Sequence, residues 1–345
     1  MYPGDSERWR IYELDAVRGF ALCGILVVNI WQLTDMRVTR APGVLDPQRH
    51  VLSVVFEGRF FPIFSFLFGL SFALFLDSAA RRTARPRLVL VRRLVALGVL
   101  GLVHHQFQPG EALLPYAIVG LVILLPAAWL PRWVVLAAGL AGTVGVAFAL
   151  GGGFGLVPGL FLLGLATARF GIADTLDDRG WQITLLFAIA VPAAIVAGMW
   201  EYRTPYLNLL ASPAPAIAGL LGALAYLTGV LLLLRTEAGE IAAELLVPLG
   251  RLALTNYVTA TALILALAPL IGLRDSTRYG MVLALAAAII VVQAVFSYAW
   301  LTWFRYGPFE WVWRCVTWWQ LVPNRRSKGE RRYLASAKNA KSRRR

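Results

Sequence analysis

Long apolar runs alternate with short polar connections from one end of the chain to the other. Each run is continuous and has roughly the 17–25 residues that a helix needs to cross about 30 Å of hydrocarbon. The pattern predicts about ten membrane spans, over 14–33, 54–76, 88–106, 112–130, 133–150, 153–169, 181–199, 214–234, 250–271 and 281–303. A membrane β-barrel is not expected, because its strands would alternate apolar and polar positions. Very short turns at Leu130-Pro131-Arg132 and Gly151-Gly152-Gly153 predict antiparallel helix neighbours. The expected fold class is all-α, a polytopic membrane helix bundle. Residues 1–320 form a single transmembrane helical domain, and 321–345 form a basic tail expected to be disordered in the cytoplasm. No internal repeat and no separate soluble domain is visible.

Basic residues orient the bundle. The 77–93 connection carries Arg81, Arg82, Arg85, Arg87, Arg92 and Arg93 against Asp77, which makes it cytoplasmic and puts both termini in the cytoplasm. The connections at 132, 169–180 and 235–249 fall on the same side. The opposite loops, 34–53, 105–111, 151–153, 200–213 and 272–280, hold about six Lys/Arg against roughly two dozen inside. The chain of 345 residues is 59% hydrophobic and 15% charged, against about 45–50% and 25% in a soluble protein. Much of its net charge of +14 sits in the tail from Arg325 onward. That placement indicates attraction to anionic lipid, about 1 kcal/mol per basic residue near the surface, and no nucleic-acid partner. Cys23 and Cys315 show neither disulfide nor metal spacing, and no metal site is expected. The N-terminal stretch lacks the short apolar core and small-residue cleavage site of a removable signal.

Polar groups inside spans are expensive and mark a protein-lined or wet interior. The first span, Leu14 to Leu33, carries Asp15, Arg18 and Asn29. On the predicted topology Asn29, Arg59, His104, His105, Glu111 and Tyr116 lie toward the outer side, with His50 in the outer loop. All three histidines are thus on one side. Histidine suits proton transfer near neutral pH, and a nearby carboxylate can orient it. His104, His105 and Glu111 flank one tight turn, where their side chains can converge. An interfacial belt of headgroup-facing residues is the competing explanation. The inner side collects Asp15 and Arg18 at i, i+3, then Arg251, Thr255 and Asn256, then Glu310 and Arg314 at i, i+4. Ion pairs and positive-inside anchoring compete there with an entrance for a phosphate-bearing cofactor, to which Arg is suited. Trp300, Trp303, Trp311, Trp313, Trp318 and Trp319 read as an interfacial belt. The Gly151–Gly155 stretch reads as a turn, since no Lys-Ser/Thr follows it. No HExxH, nucleophile elbow or CxxC pair is present.

Three blocks resemble the YeiB family of bacterial membrane proteins, also known as domain of unknown function 418: Leu14-Asp15-Ala16-Val17-Arg18-Gly19 with the run to Asn29, Gly250 to Tyr257, and Phe304 to Arg314. Arg59 with Leu67-Phe68-Gly69, and His104 with Gly110-Glu111 and Tyr116, are looser matches, Glu111 standing where the family commonly has Asp. The first block is also similar to heparan-α-glucosaminide N-acetyltransferase and the transmembrane acyltransferase superfamily. That resemblance implies an acyl-CoA donor on the cytoplasmic side and an acceptor hydroxyl or amine on the outer side, in the bacterial plasma membrane. Asn29 matches an asparagine near that enzyme's active site; Arg40 stands where its histidine is expected. The base is therefore expected from a different arrangement, His104 or else His50 or His105, with catalysis assigned to His104 assisted by Glu111 and Asn29. Arg18, Arg251 and Asn256 are expected to hold the cofactor, and Arg59, His105, Tyr116 and His50 the acceptor. Analogy with the superfamily admits a homodimer. A transporter or lipid-handling protein without bond chemistry is the alternative.

Overall fold

A computed structural model describes residues 3–41 and 44–329; most of the basic tail, 330–345, lies outside the described residues. The regular structure of the described residues is helical apart from a small antiparallel ribbon, β1 (Thr39–Ala41) with β2 (Val44–Leu45). Among the described residues, seven helical segments are long and apolar enough to cross a membrane: Tyr12–Leu33, Pro47–Ala80, Arg132–Leu150, Asp177–Arg203, Ala214–Leu233, Ala253–Ile271 and Tyr279–Trp303. Two shorter apolar segments, Leu113–Ala127 and Gly153–Arg169, accompany them.

The helices in chain order begin with α1 (Pro3–Leu33), α2 (Pro47–Phe56), α3 (Phe60–Ala80) and α4 (Pro86–His105). Next come α5 (Leu113–Val119), a π-helical turn at Gly120–Leu124, and α6 (Leu125–Ala127), together one continuous rod. They are followed by α7 (Arg132–Leu150), α8 (Val157–Arg169), α9 (Gly180–Arg203) and α10 (Ala214–Leu233). The last four are α11 (Glu237–Arg251), α12 (Ala253–Leu267), α13 (Tyr279–Trp303) and α14 (Pro308–Trp318).

Burial orders these helices. The α1 span is 72% buried, against 22% for those of α7 and α9. A polar helix is affordable in a membrane only where protein surrounds it, so α1 is central and α7 and α9 turn apolar side chains outward. Around α1 stand α3, α11, α12 and α13. At its crossing with α11, a Cβ on Gly19 would lie 2.1 Å from the Leu246 carbonyl oxygen. One on Gly250 would lie 1.8 Å from that of Asp15. Only glycine permits this backbone approach.

The structure differs from the sequence expectation in three places. Residues 235–249, expected as a connection, form most of α11. Thr236 starts it by accepting from the Gly239 N–H at 3.1 Å, and Glu237 and Glu240 sit in the first turn, where the helix dipole favours them. Second, α7 packs on α8 across the predicted glycine turn, but not closely on the preceding 113–127 rod. Arg169 at the end of α8 donates to the carbonyls of Ala127, Ala128 and Leu130, capping that rod. Gly151, Gly152 and Gly153 all have positive φ, which explains three consecutive glycines at that turn. Third, residues 321–326 are tied back to the end of α13: the Arg305 N–H donates to the Asn324 carbonyl at 2.8 Å, and the Arg326 N–H to that of Trp303 at 2.8 Å.

Candidate functional site

The last turn of α4 and the first of α5 are joined by a short loop, and α12 lies against both. His104, Gln108, Glu111 and Thr261 are all buried there. Glu111 accepts from the N–H groups of Leu113 and Leu114 at 2.6 and 2.8 Å, so its carboxylate is pinned at the start of α5. The Thr261 hydroxyl donates to Gln108 Oε1 at 2.6 Å and lies 3.0 Å from His104 Nε2. A threonine has one proton to give, so in this arrangement His104 Nε2–H donates to Thr261. In the neutral ring Nδ1 is then unprotonated. It is buried without a hydrogen-bond partner among the described residues and faces Glu111 Oε2 at 3.8 Å, too far for a direct bond. The Tyr257 ring stands 5.1 Å from the imidazole, and its hydroxyl accepts from the Ala112 N–H at 3.2 Å.

The remaining predicted residues distribute as follows. Asn29 is buried and makes no side-chain hydrogen bond among the described residues. It lies one helical turn below Gln32, whose Oε1 closes on Gly110 in the α4–α5 loop. Tyr116 neighbours the site, but its hydroxyl is shared with Ser65 at 2.6 Å. His105 is exposed. His50 stacks on Tyr202 at 4.2 Å. Arg59 forms a buried ion pair with Glu201 of α9 and also donates to the Glu57 carbonyl. The outer polar residues thus divide into a His104 group on α4, α5 and α12 and an Arg59 group on α2, α3 and α9. Sequence reading did not single out Gln108, Thr261 or Glu201. Thr261, four residues after Tyr257, shares its helix face, and a hydroxyl within an apolar run was the available signal.

At the other end of the bundle Arg18 pairs with Asp15 at 2.8 Å and donates to Ser71 at 2.5 Å. Arg251 is exposed and donates to the Arg305 carbonyl at 3.3 Å. Asn256 is fully buried, its amide donating to the Leu249 carbonyl and Ser297, so its hydrogen bonds tie α11, α12 and α13 together. Glu310 of α14 accepts from the Thr255 N–H at 3.0 Å and hydroxyl at 2.5 Å. Three of the tryptophans expected as a belt face guanidinium groups: Trp313 with Arg93, Trp318 with Arg82 and Trp319 with Arg92.

Burial pushes the Glu310 carboxyl above its ordinary value of 4.5, and the Thr255 bonds oppose that shift. The folded chain therefore keeps this proton to higher pH than the unfolded chain. The stability it contributes is full below pH 4.5 and is lost as pH rises through the raised value. Glu310→Gln is expected to flatten this slope when unfolding midpoints are followed from about pH 5 to 8. An equal or steeper slope in the variant would count against the account.

The family model "Protein of unknown function (DUF418)" matches residues 167–320. An uncharacterized 39.9 kDa protein in the amylase 3' region of Bacillus acidopullulyticus is 35% identical, the match covering 89% of this chain and 94% of the relative. The uncharacterized protein YxaH of Bacillus subtilis (strain 168) is 25% identical, over 91% and 96%. The uncharacterized protein YeiB of Escherichia coli (strain K12) is 26% identical, over 89% and 96%. End-to-end similarity of this kind, on an apolar helical bundle, places the chain in the YeiB (DUF418) family of integral membrane proteins.

Proposed function

We propose that this protein is a membrane-embedded acyltransferase, moving an acyl group from cytoplasmic acyl-CoA to a hydroxyl or amine on the outer side. The observation that carries the reading is the buried His104–Glu111 pair, its imidazole fixed through Nε2 by Thr261 and its Nδ1 turned to the carboxylate. In the full topology proposed here the chain crosses the bacterial inner membrane ten times with both termini in the cytoplasm. The His104 group then lies on the outer side and Arg18 and Arg251 on the inner side. The basic tail meets anionic lipid, and two copies associate as a homodimer.

The thioester supplies the acyl group: its C–S bond breaks as a bond to the acceptor oxygen or nitrogen forms. His104 Nδ1 takes the acceptor's proton, and Glu111 stabilises the imidazolium so formed. The Asn29 amide donates to the oxygen on which negative charge develops. The imidazolium then returns its proton to the leaving thiolate. Thr261 and Gln108 hold the ring so that Nδ1, not Nε2, is free. The test is acyl-CoA consumption by purified protein in a bilayer, with labelled acyl group followed into an acceptor or water. A protein that uses no acyl-CoA, yet moves ions or lipid across the same bilayer, would overturn the reading.

A further inference from the structure

Arg49 of α2 is charged, buried and short of acceptors. Its side chain is 10% exposed, and its guanidinium carbon lies 4.4 Å from the ring centre of Trp31 on α1. One amino group, Nη2, donates to Glu57 Oε2 at 2.6 Å. Its Nε and Nη1, and the Trp31 indole nitrogen, are buried and have no hydrogen-bond partner among the described residues. Local structure fixes this corner. Asp46 caps α2 by accepting from the N–H groups of Gln48 and Arg49 at 2.9 and 3.3 Å. The loop before it is tied to the start of α13: the Arg37 N–H donates to the Ser276 carbonyl at 3.0 Å, and the Tyr279 hydroxyl to that of Arg37 at 2.8 Å. Trp31, Met36 and Tyr279 share one apolar cluster, with Leu52 and Phe56 of α2 packed against it. The Arg49 head therefore enters the edge of an apolar core where α1, α2 and α13 meet. This is the end of the bundle that holds His104, since Gln32, next to Trp31, closes on Gly110 in the α4–α5 loop.

A buried N–H group without an acceptor has given up its bond to water for nothing in return, so such groups are rare and call for an explanation. Here three donor nitrogens of two touching side chains share that condition. The Trp31 ring serves the face of the guanidinium but not its in-plane hydrogens. Glu57 serves Nη2 alone, and its side chain is 44% exposed, so water shares its charge. A corner that offers a positive charge and N–H groups suits an anion with several acceptor oxygens and repels a cation. We propose that Arg49 and Trp31 form a binding site for a phosphate group between α1, α2 and α13. The phosphate belongs to a lipid headgroup or comes free from solution. The ends of the Tyr12–Leu33 and Tyr279–Trp303 spans, where the site lies, are at headgroup level. Glu57 holds the guanidinium in place and competes with the ligand for it. The site is distinct from the His104 group and does not rest on the acyl-transfer reading.

The full chain, purified in a maltoside detergent that carries no phosphate, is titrated with inorganic phosphate and separately with phosphatidylglycerol, and its unfolding temperature is followed. Diacylglycerol, the same lipid without the phosphate, is the control. Stabilisation by phosphatidylglycerol but not diacylglycerol assigns a lipid headgroup, and stabilisation by inorganic phosphate alone assigns a free ion. Arg49→Gln is expected to weaken binding about tenfold or more. Trp31→Phe keeps the ring under the guanidinium, loses the N–H, and should weaken binding several-fold. Glu57→Gln should tighten it, because the competing carboxylate is gone; a merely structural ion pair predicts no gain. Exposed Arg274→Gln should bind as the parent does. Trp31→Phe and Glu57→Gln carry the test should Arg49→Gln fail to fold. Stabilisation by neither phosphate probe, or equally by diacylglycerol, overturns the site. So does unchanged affinity in Arg49→Gln, or in both Trp31→Phe and Glu57→Gln.

Discussion

Replacing His104 by alanine is expected to lower acyl transfer by roughly 10²–10⁴-fold while leaving the helices in place. The ring makes one side-chain hydrogen bond, to Thr261, and that hydroxyl keeps its own bond to Gln108. Glu111 keeps both N–H groups of α5. Little structure therefore depends on the imidazole, whereas the whole proton path does. Added imidazole should restore part of the rate in the variant, which a purely structural role for the histidine would not allow. Wild-type rates in His104→Ala would remove the residue from the mechanism.

The largest effect on stability is expected from Glu201→Ala. Glu201 and Arg59 are both buried and bonded to each other across 142 positions of sequence. Losing the carboxylate leaves Arg59 only the carbonyls of Glu57 and Ser53. An uncompensated buried charge of this kind costs about 3–5 kcal/mol. Removing both charges in Arg59→Met/Glu201→Leu should recover most of the loss, because each charge is costly chiefly without the other. Unfolding of the purified variants in detergent checks both statements. A single variant within about 0.5 kcal/mol of the parent would show that water, not Glu201, compensates Arg59.

Some of this was legible in one dimension. Apolar run length alone identified an all-helical membrane protein, since the cost of exposed backbone in hydrocarbon leaves few alternatives. The convergence of His104 with Glu111 was also legible, because a short connection brings two helix ends together. Other features were not. α11 carries charge at its start and too few apolar residues for a span, so hydropathy treated it as a connection. Its packing on α1 depends on Gly19 meeting Leu246 and Gly250 meeting Asp15, contacts between residues more than 200 positions apart. Along the sequence Arg59, His50 and His104 all lie toward one end. Depth along a helix can be read from sequence, but the direction a side chain faces across the bundle cannot.

The sequence by itself determined the solvent, the helical class and the family, because each depends on run length or on local blocks of residues. Tertiary structure decided which polar groups share a site. It committed Arg59 to Glu201 and Asn256 to Ser297, and it gave His104 its threonine and turned Nδ1 toward Glu111. The physical reason is that hydrogen bonds and ion pairs act over about 3–4 Å, a distance set by how helices cross and rotate.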